Sequence, residues 1–215
     1  MTAPEFLAEC ELLGRPPQWV GPGAEALGLR GEATPDQVRA LAAGFHPHTG
    51  EPLVRNAGSP TKHTGVHVVL APDKSVSTLF GVAGPEARAE VAAVHRAAVT
   101  QALTAAEAWI TARVGAGGQQ QVSARPVAFE ATHPHARGNN PHLHSHLGVL
   151  GVTVGNADGK TRALQSRQVF ELQRLMEATY QLELARGLTR LGYAVESRNG
   201  VAVARDVPRE LCRAF

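Results

Sequence analysis

The sequence predicts an α+β fold: an antiparallel β-sheet flanked by helices, in a single domain. Three observations carry this expectation. The 215 residues, 43% of them apolar, suit one domain with a substantial core, since domains typically run to roughly 100–200 residues. Two long stretches rich in Ala, Leu, Glu and Arg read as helices. Several runs rich in Val and Leu, bounded by Gly, Pro and Asn, read as strands joined by tight turns.

Taken in order, residues 1–33 are rich in Gly and Pro and read as an irregular N-terminal arm with one or two turns of helix. Thr34-Pro35-Asp36 opens a short helix, with Thr34 as N-cap, Pro35 in the first helical position and Gly44 at the end. FHPHTGEPLVRN is turn-rich, and GVHVVLAP (65–72) is a strand. A long helix is expected from Pro85 to Val114, with Val91, Val94, Ala98, Leu103 and Trp109 loosely on the helical period, stopped by Gly115, Gly117 and Gly118. Strands follow at 121–129 and 143–154, and a turn at Asn156–Gly159 leads into a short strand. A second helix runs over 166–191 and stops at Gly192. Residues 193–204, broken at Asn199-Gly200, form a hairpin.

Composition narrows the function. No apolar run approaches the roughly 18 residues that a membrane helix needs, so no membrane partner is expected. The N-terminus MTAPEFLAEC has neither a basic segment nor an apolar one of the secretory kind, and cytoplasmic placement is the expectation. Cys10 and Cys212 are too few for a disulfide framework or a cysteine-based zinc site. With 21 basic and 19 acidic residues the net charge is +2, so net charge alone does not argue for nucleic-acid binding.

The informative counts are ten histidines against two tyrosines, Tyr180 and Tyr193. Five histidines fall within THPHARGNNPHLHSH, at 133, 135, 142, 144 and 146. On a strand, side chains alternate between faces, so His142, His144 and His146 share one face while Leu143, Ser145 and Leu147 pack on the other. Two neighbouring imidazoles on one face can share a metal ion, and either His133 or His135 can supply a third nitrogen. The bland alternative is a solvated polar face. Three neutral nitrogen ligands favour Zn, Ni or Cu over Mg, and an ion with open positions polarises an anionic oxygen such as a scissile phosphate.

The run His133-x3-Arg137-x3-Pro141-x-Leu143-His144-x-His146 resembles the histidine-triad motif of the TrwC/TraI-type (MobF) conjugative relaxases, HUH-class endonucleases that nick one DNA strand. WVGPGAEALGLRG (19–31), HPHTGEPL after Gly44, DKSVSTLF (73–80), DGKTRAL (158–164) and ATYQLELARGLTRLGY (178–193) resemble further family segments in the same order. The resemblance covers residues 19–215 and implies a relaxase-like palm. It implies His133, His144 and His146 as metal ligands, with His135 and His142 facing solvent or supporting the ligands. It also implies a divalent ion of the Mg or Mn kind, where the donor chemistry alone favours Zn or Ni, and single-stranded or hairpin DNA as partner, alongside other DNA-processing domains or proteins. Lys74 and Ser75 in the DKSVS segment, and Arg137 beside the triad, are candidate phosphate contacts; each could equally be a surface residue or an internal cap.

Two departures from the family pattern bear on mechanism. Relaxases attack DNA with a tyrosine near the N-terminus, upstream of the Trp19 segment. This sequence has no tyrosine before Tyr180, and Phe6 is its nearest aromatic there. Tyr180 and Tyr193 fit structural positions. His67 stands where the family carries an aspartate. A histidine can orient a neighbour, act as a general base near neutral pH or become a fourth ligand, but it lacks the fixed negative charge that raises the basicity of a ligand imidazole. The expectation is therefore a metal-dependent DNA nickase with non-tyrosine chemistry, with two alternatives: a degenerate relaxase fold acting as a DNA-binding module, or a fragment of an active relaxase.

Overall fold

The computed structural model describes residues 16–136 and 140–215; Phe6, Cys10 and Arg137 lie outside them. Among these residues are eight strands and six α-helices, a mixed α+β chain. In chain order they are β1 (Gln18–Val20), α1 (Gly21–Ala26), α2 (Pro35–Ala43), β2 (Gly65–Leu70), α3 (Lys74–Val82), α4 (Pro85–Glu107), β3 (Thr111–Val114), β4 (Gln120–His135), β5 (Pro141–Gly155), β6 (Thr161–Ala163), α5 (Ser166–Arg190), β7 (Val195–Arg198), β8 (Val201–Ala204) and α6 (Arg209–Ala214). One sheet is ordered β1-β4-β5-β2, with β3 added on β4 and β6 on β5; β7 and β8 form a separate two-stranded sheet. The chain divides into two compact units, Met1–Val68 with Ala106–Ala131 and Leu147–Gln173, and Val69–Ala105 with Thr132–His146 and Arg174–Phe215.

In the first unit, helix α2 starts and stops as its sequence dictates. The Thr34 hydroxyl accepts from the Gln37 backbone N–H while the Gln37 side chain accepts from the Thr34 N–H, a reciprocal capping box. Gly44 closes the helix in the left-handed conformation at φ 93°. The core of this unit gathers Trp19, Leu29, Leu41, Phe129, Leu150 and Val152, among others. The indole of Trp19 meets the Phe129 ring edge-on at 6.0 Å and donates to Gln37 Oε1 at 3.1 Å, so its one polar atom is satisfied. Gly148 lets the strand pass over Phe129, since a Cβ there would lie 2.5 Å from the ring. Within residues 16–33, α1 supplies the short helical turns, and in addition Gln18–Val20 pairs antiparallel with Ala128–Glu130, where Trp19 is buried.

The first long helix ends earlier than its periodicity suggests, at Glu107 rather than Val114. Thr111–Val114 turns back as β3 and pairs with Gln120–Ser123. Gly115, Gly117 and Gly118, all at positive φ near 70–80°, make the reversal. β-branched Thr111 and Val114 are poor helix residues, and here ladder hydrogen bonds replace the last helical turns.

In the second unit, the DKSVS segment opens a helix that sequence periodicity had not revealed. The Asp73 carboxylate caps α3, accepting from the Ser75 N–H at 2.8 Å and the Ser75 hydroxyl at 2.6 Å. Helices α4 and α5 approach closely where Gly187 faces Val94, whose side chain leaves no room for a Cβ. The β7–β8 hairpin turns at Asn199 (φ 52°) and Gly200 (φ 83°), as the Asn-Gly pair requires. No helix of the described residues is long and apolar enough to cross a membrane.

Candidate metal centre

The second unit places three histidines together. His133 lies near the end of β4, and His144 and His146 lie two residues apart near the start of β5. The Ala136 N–H donates to the Asn140 carbonyl at 3.0 Å, joining the residue after β4 to the residue before β5. Period-two alternation then puts His144 and His146 on one face, with the His133 ring beside both. Ring centroids are 5.1 Å apart for His133–His144, 4.7 Å for His133–His146 and 4.9 Å for His144–His146, a nearly equilateral triangle. All three side chains are buried.

One ring nitrogen from each residue lies within 4.8 Å of the others. Nitrogens around a tetrahedral ion at about 2.1 Å would sit roughly 3.4 Å apart, within that limit. The His144 tautomer follows from its partner. Nδ1 lies 2.8 Å from the His142 carbonyl oxygen, which can only accept, so Nδ1 carries a hydrogen and Nε2 is the ring nitrogen left to face an ion. Such a carbonyl contact is how ligating imidazoles are commonly oriented. Three nitrogens, buried and convergent, fit a divalent transition ion with coordination positions left for a ligand.

The other face of β5 is anchored to helices. Ser145, between the two histidines, has its Oγ 2.7 Å from His95 Nε2 on α4, and His95 Nδ1 lies 2.8 Å from the Tyr180 hydroxyl on α5. Ser145 also reaches the Thr132 hydroxyl at 3.1 Å, next to His133. Burial pushes His95 down to about 3, assisted by the nearby His144 and Arg96 charges, so the ring is neutral and links two hydroxyls. Sequence reasoning missed His95. The available signal was its place on the buried stripe Val91, His95, Ala98, Ala102, which has helical spacing.

The remaining candidates fall as follows. His142 is half-buried, its ring 4.6 Å from that of His144; burial first, then the His144 and Lys74 charges, lower its affinity for a proton. His135 is half-buried and outside the three-nitrogen group. Lys74 Nζ donates to the Pro141 carbonyl at 3.1 Å, holding the first residue of β5. Ser75 is buried: its hydroxyl donates to Asp73 and accepts from the Ala204 N–H at 2.9 Å. His67 is half-buried on β2, in the first unit. Tyr180 is fully buried against His95, and Tyr193 is half-buried.

Known proteins share this arrangement of chain. The family model described as TrwC relaxase matches residues 13–215. The chain belongs to the TrwC relaxase family. It is 30% identical over 205 residues to the multifunctional conjugation protein TraI of Escherichia coli, and 28% identical to its counterpart in strain K12. Each alignment covers 90% of this chain and 11% of the relative, so the chain spans about a tenth of the length of these curated relatives. Among solved structures, the conjugative relaxase TrwC in complex with oriT DNA, in a metal-free form, superposes with a TM-score of 0.85 at 30% identity. It covers all of this chain and 76% of that one. A metal-bound form matches at 0.81 and 31% identity over 93% of this chain and 69% of the other. A copper-bound form matches at 0.85 and 28% identity, over 99% and 75%. TrwC relaxases thus share both the α+β architecture and the antiparallel sheet found here.

Proposed function

We propose that this relaxase-family chain binds single-stranded or hairpin DNA and nicks it in a metal-dependent reaction with water, not tyrosine, as the nucleophile. The buried three-histidine group carries the reading. The TrwC structures solved with oriT DNA, metal-bound ones among them, support it by analogy. A divalent ion held by His133, His144 and His146 would supply Lewis-acid polarisation of a phosphate oxygen. The His142 carbonyl fixes the His144 tautomer for that task, and the His95–Ser145 contact fixes the strand from behind. Water attack forms one P–O bond and breaks the P–O3′ bond, leaving a 5′-phosphate and a 3′-hydroxyl. By position alone, in place of the family aspartate, His67 receives the water proton, and by the family resemblance Lys74 and Arg137 contact phosphates. The Lys74 ammonium has two further protons to offer beyond the one given to Pro141. We place the reaction in the cytoplasm.

Tyr180 is buried with its hydroxyl bonded to His95, which holds it in the interior. The test is incubation of hairpin-bearing single-stranded oligonucleotides with Mn, Mg, Zn or Ni, comparing wild type with H144A. Metal-dependent product bearing a free 5′-phosphate is expected. Binding without any cutting would leave a DNA-binding module instead, and a covalent protein–DNA adduct would overturn the water mechanism.

A further inference from the structure

The second unit carries a cleft of about 480 Å³ whose lining includes none of the clustered histidines. Five cations line it, Lys74, Arg198, Arg205, Arg209 and Arg213, against one carboxylate, Asp73. This one cleft therefore concentrates more positive charge than the +2 of the entire chain. Asp73 is already committed to capping α3, and Arg198 is paired with Glu196. Arg205, Arg209 and Arg213 have no salt bridge among the described residues, and all three are exposed.

Arg209 and Arg213 stand one turn apart on α6, a like-charge spacing that puts both guanidinium groups on one face; Glu210 in the first turn and Arg213 in the last suit the helix dipole, whereas Arg209 in the first turn does not. Helix α6 buries no residue. The cleft also has an apolar part, Val203, Val207 and Pro208. Forked guanidinium groups over an apolar surface suit a phosphodiester strand, with phosphates on the arginines and sugar or base on the apolar part.

We infer that this cleft is a second docking site for a nucleic-acid strand, gripping its phosphodiester backbone away from the histidine cluster. The inference rests on the single-strand-binding reading above. Lys74 belongs to both regions: it lines the cleft, and its ammonium holds Pro141 at the head of the strand bearing His144 and His146.

The experiment is fluorescence anisotropy of labelled single-stranded oligonucleotides across a salt series, without added metal. Wild type is compared with R209A/R213A, with R205A/R209A/R213A, and with R39A/R167A outside the cleft. Removing one arginine–phosphate pair lowers the slope of log affinity against log salt by about 0.7, so the double variant should lose about 1.4. Affinity at low salt should fall roughly tenfold or more, while R39A/R167A stays at wild type. Because these arginines are exposed, circular dichroism should be unchanged, and R209K/R213K should keep most of the slope. If wild type binds and the cleft variants match it in slope and affinity, the cleft inference fails alone. If wild type binds no single strand, the proposed function fails and takes this inference with it. Competition by polyglutamate equal to that of an oligonucleotide of the same charge would overturn the nucleic-acid assignment.

Discussion

His95 and Ser145 meet at 2.7 Å between helix α4 and strand β5, and Ser145 is the residue that separates His144 from His146. The face of the strand opposite the histidine cluster is therefore tied to a helix by a neutral, fully buried imidazole that also holds Tyr180. In a dry site such a bridge sets strand position, and strand position sets the spacing of the two histidines.

Replacing His95 by Ala deletes both hydrogen bonds and leaves a void in the packed interior. The expected cost is about 2–4 kcal/mol in urea unfolding. Zinc or cobalt affinity should fall by roughly 10–100-fold, as for other groups that orient metal ligands. H95Q, which keeps a donor and an acceptor, should recover part of the metal affinity. Unchanged metal binding in a folded H95A protein would show that the bridge does not position the cluster.

The four neighbouring histidines should separate cleanly in metal titrations. H133A, H144A and H146A should each lose bound metal, with affinity down by at least roughly 100-fold, beyond the usual range for outer contacts. H142A should stay within a few-fold of wild type, because the group that receives the His144 Nδ1 proton is the backbone carbonyl of residue 142, which alanine retains. Calorimetry and elemental analysis of the purified variants check this; loss of metal in H142A would make it a fourth ligand.

Glu107 gives a pH signature in the first unit. Burial raises its carboxyl to about 7, opposed by the Arg125 charge. The folded state therefore holds this proton between the ordinary value of 4.5 and about 7, where the unfolded chain has released it. The contribution to stability is complete below 4.5 and is lost as pH rises towards 7. E107Q should track wild type at pH 4.5 and become progressively more stable than it up to pH 8, measured by urea unfolding at four pH values. Parallel stability curves would refute the assignment.

Gly148→Ala should strain the core of the first unit, because its new methyl would stand 2.5 Å from the Phe129 ring. Overpacking of this kind costs about 1–3 kcal/mol, and Tm should drop by about 2–4 °C per kcal/mol. A thermal melt at wild-type Tm would mean that the ring has room to move.

Local chemistry made much of this protein legible beforehand. The Thr34 cap with Gly44, the Asn199-Gly200 turn and the alternation of His144 and His146 are short-range patterns, set by steric and hydrogen-bonding preferences within a few residues. The ordered motifs pointed to the relaxase family, and the family comparison agrees. The end of α4 was not legible, because Trp109–Val114 continues a helical rhythm that only pairing with Gln120–Ser123 overrides. Helix α3 was hidden in a motif whose capping by Asp73 and link to Ala204 appear only in three dimensions.

The sequence by itself determined the chemistry on offer: which residue types exist, which face of a strand carries imidazoles, and where turns must fall. Only the tertiary structure decided which groups meet. It joined His95 to Ser145 and Tyr180 across 50 and 85 residues of chain, brought His133 beside His144 and His146, and gathered Lys74 with the C-terminal arginines in one cleft. Periodicity reports a residue's face on its own element, whereas contacts between distant elements follow from packing the whole chain.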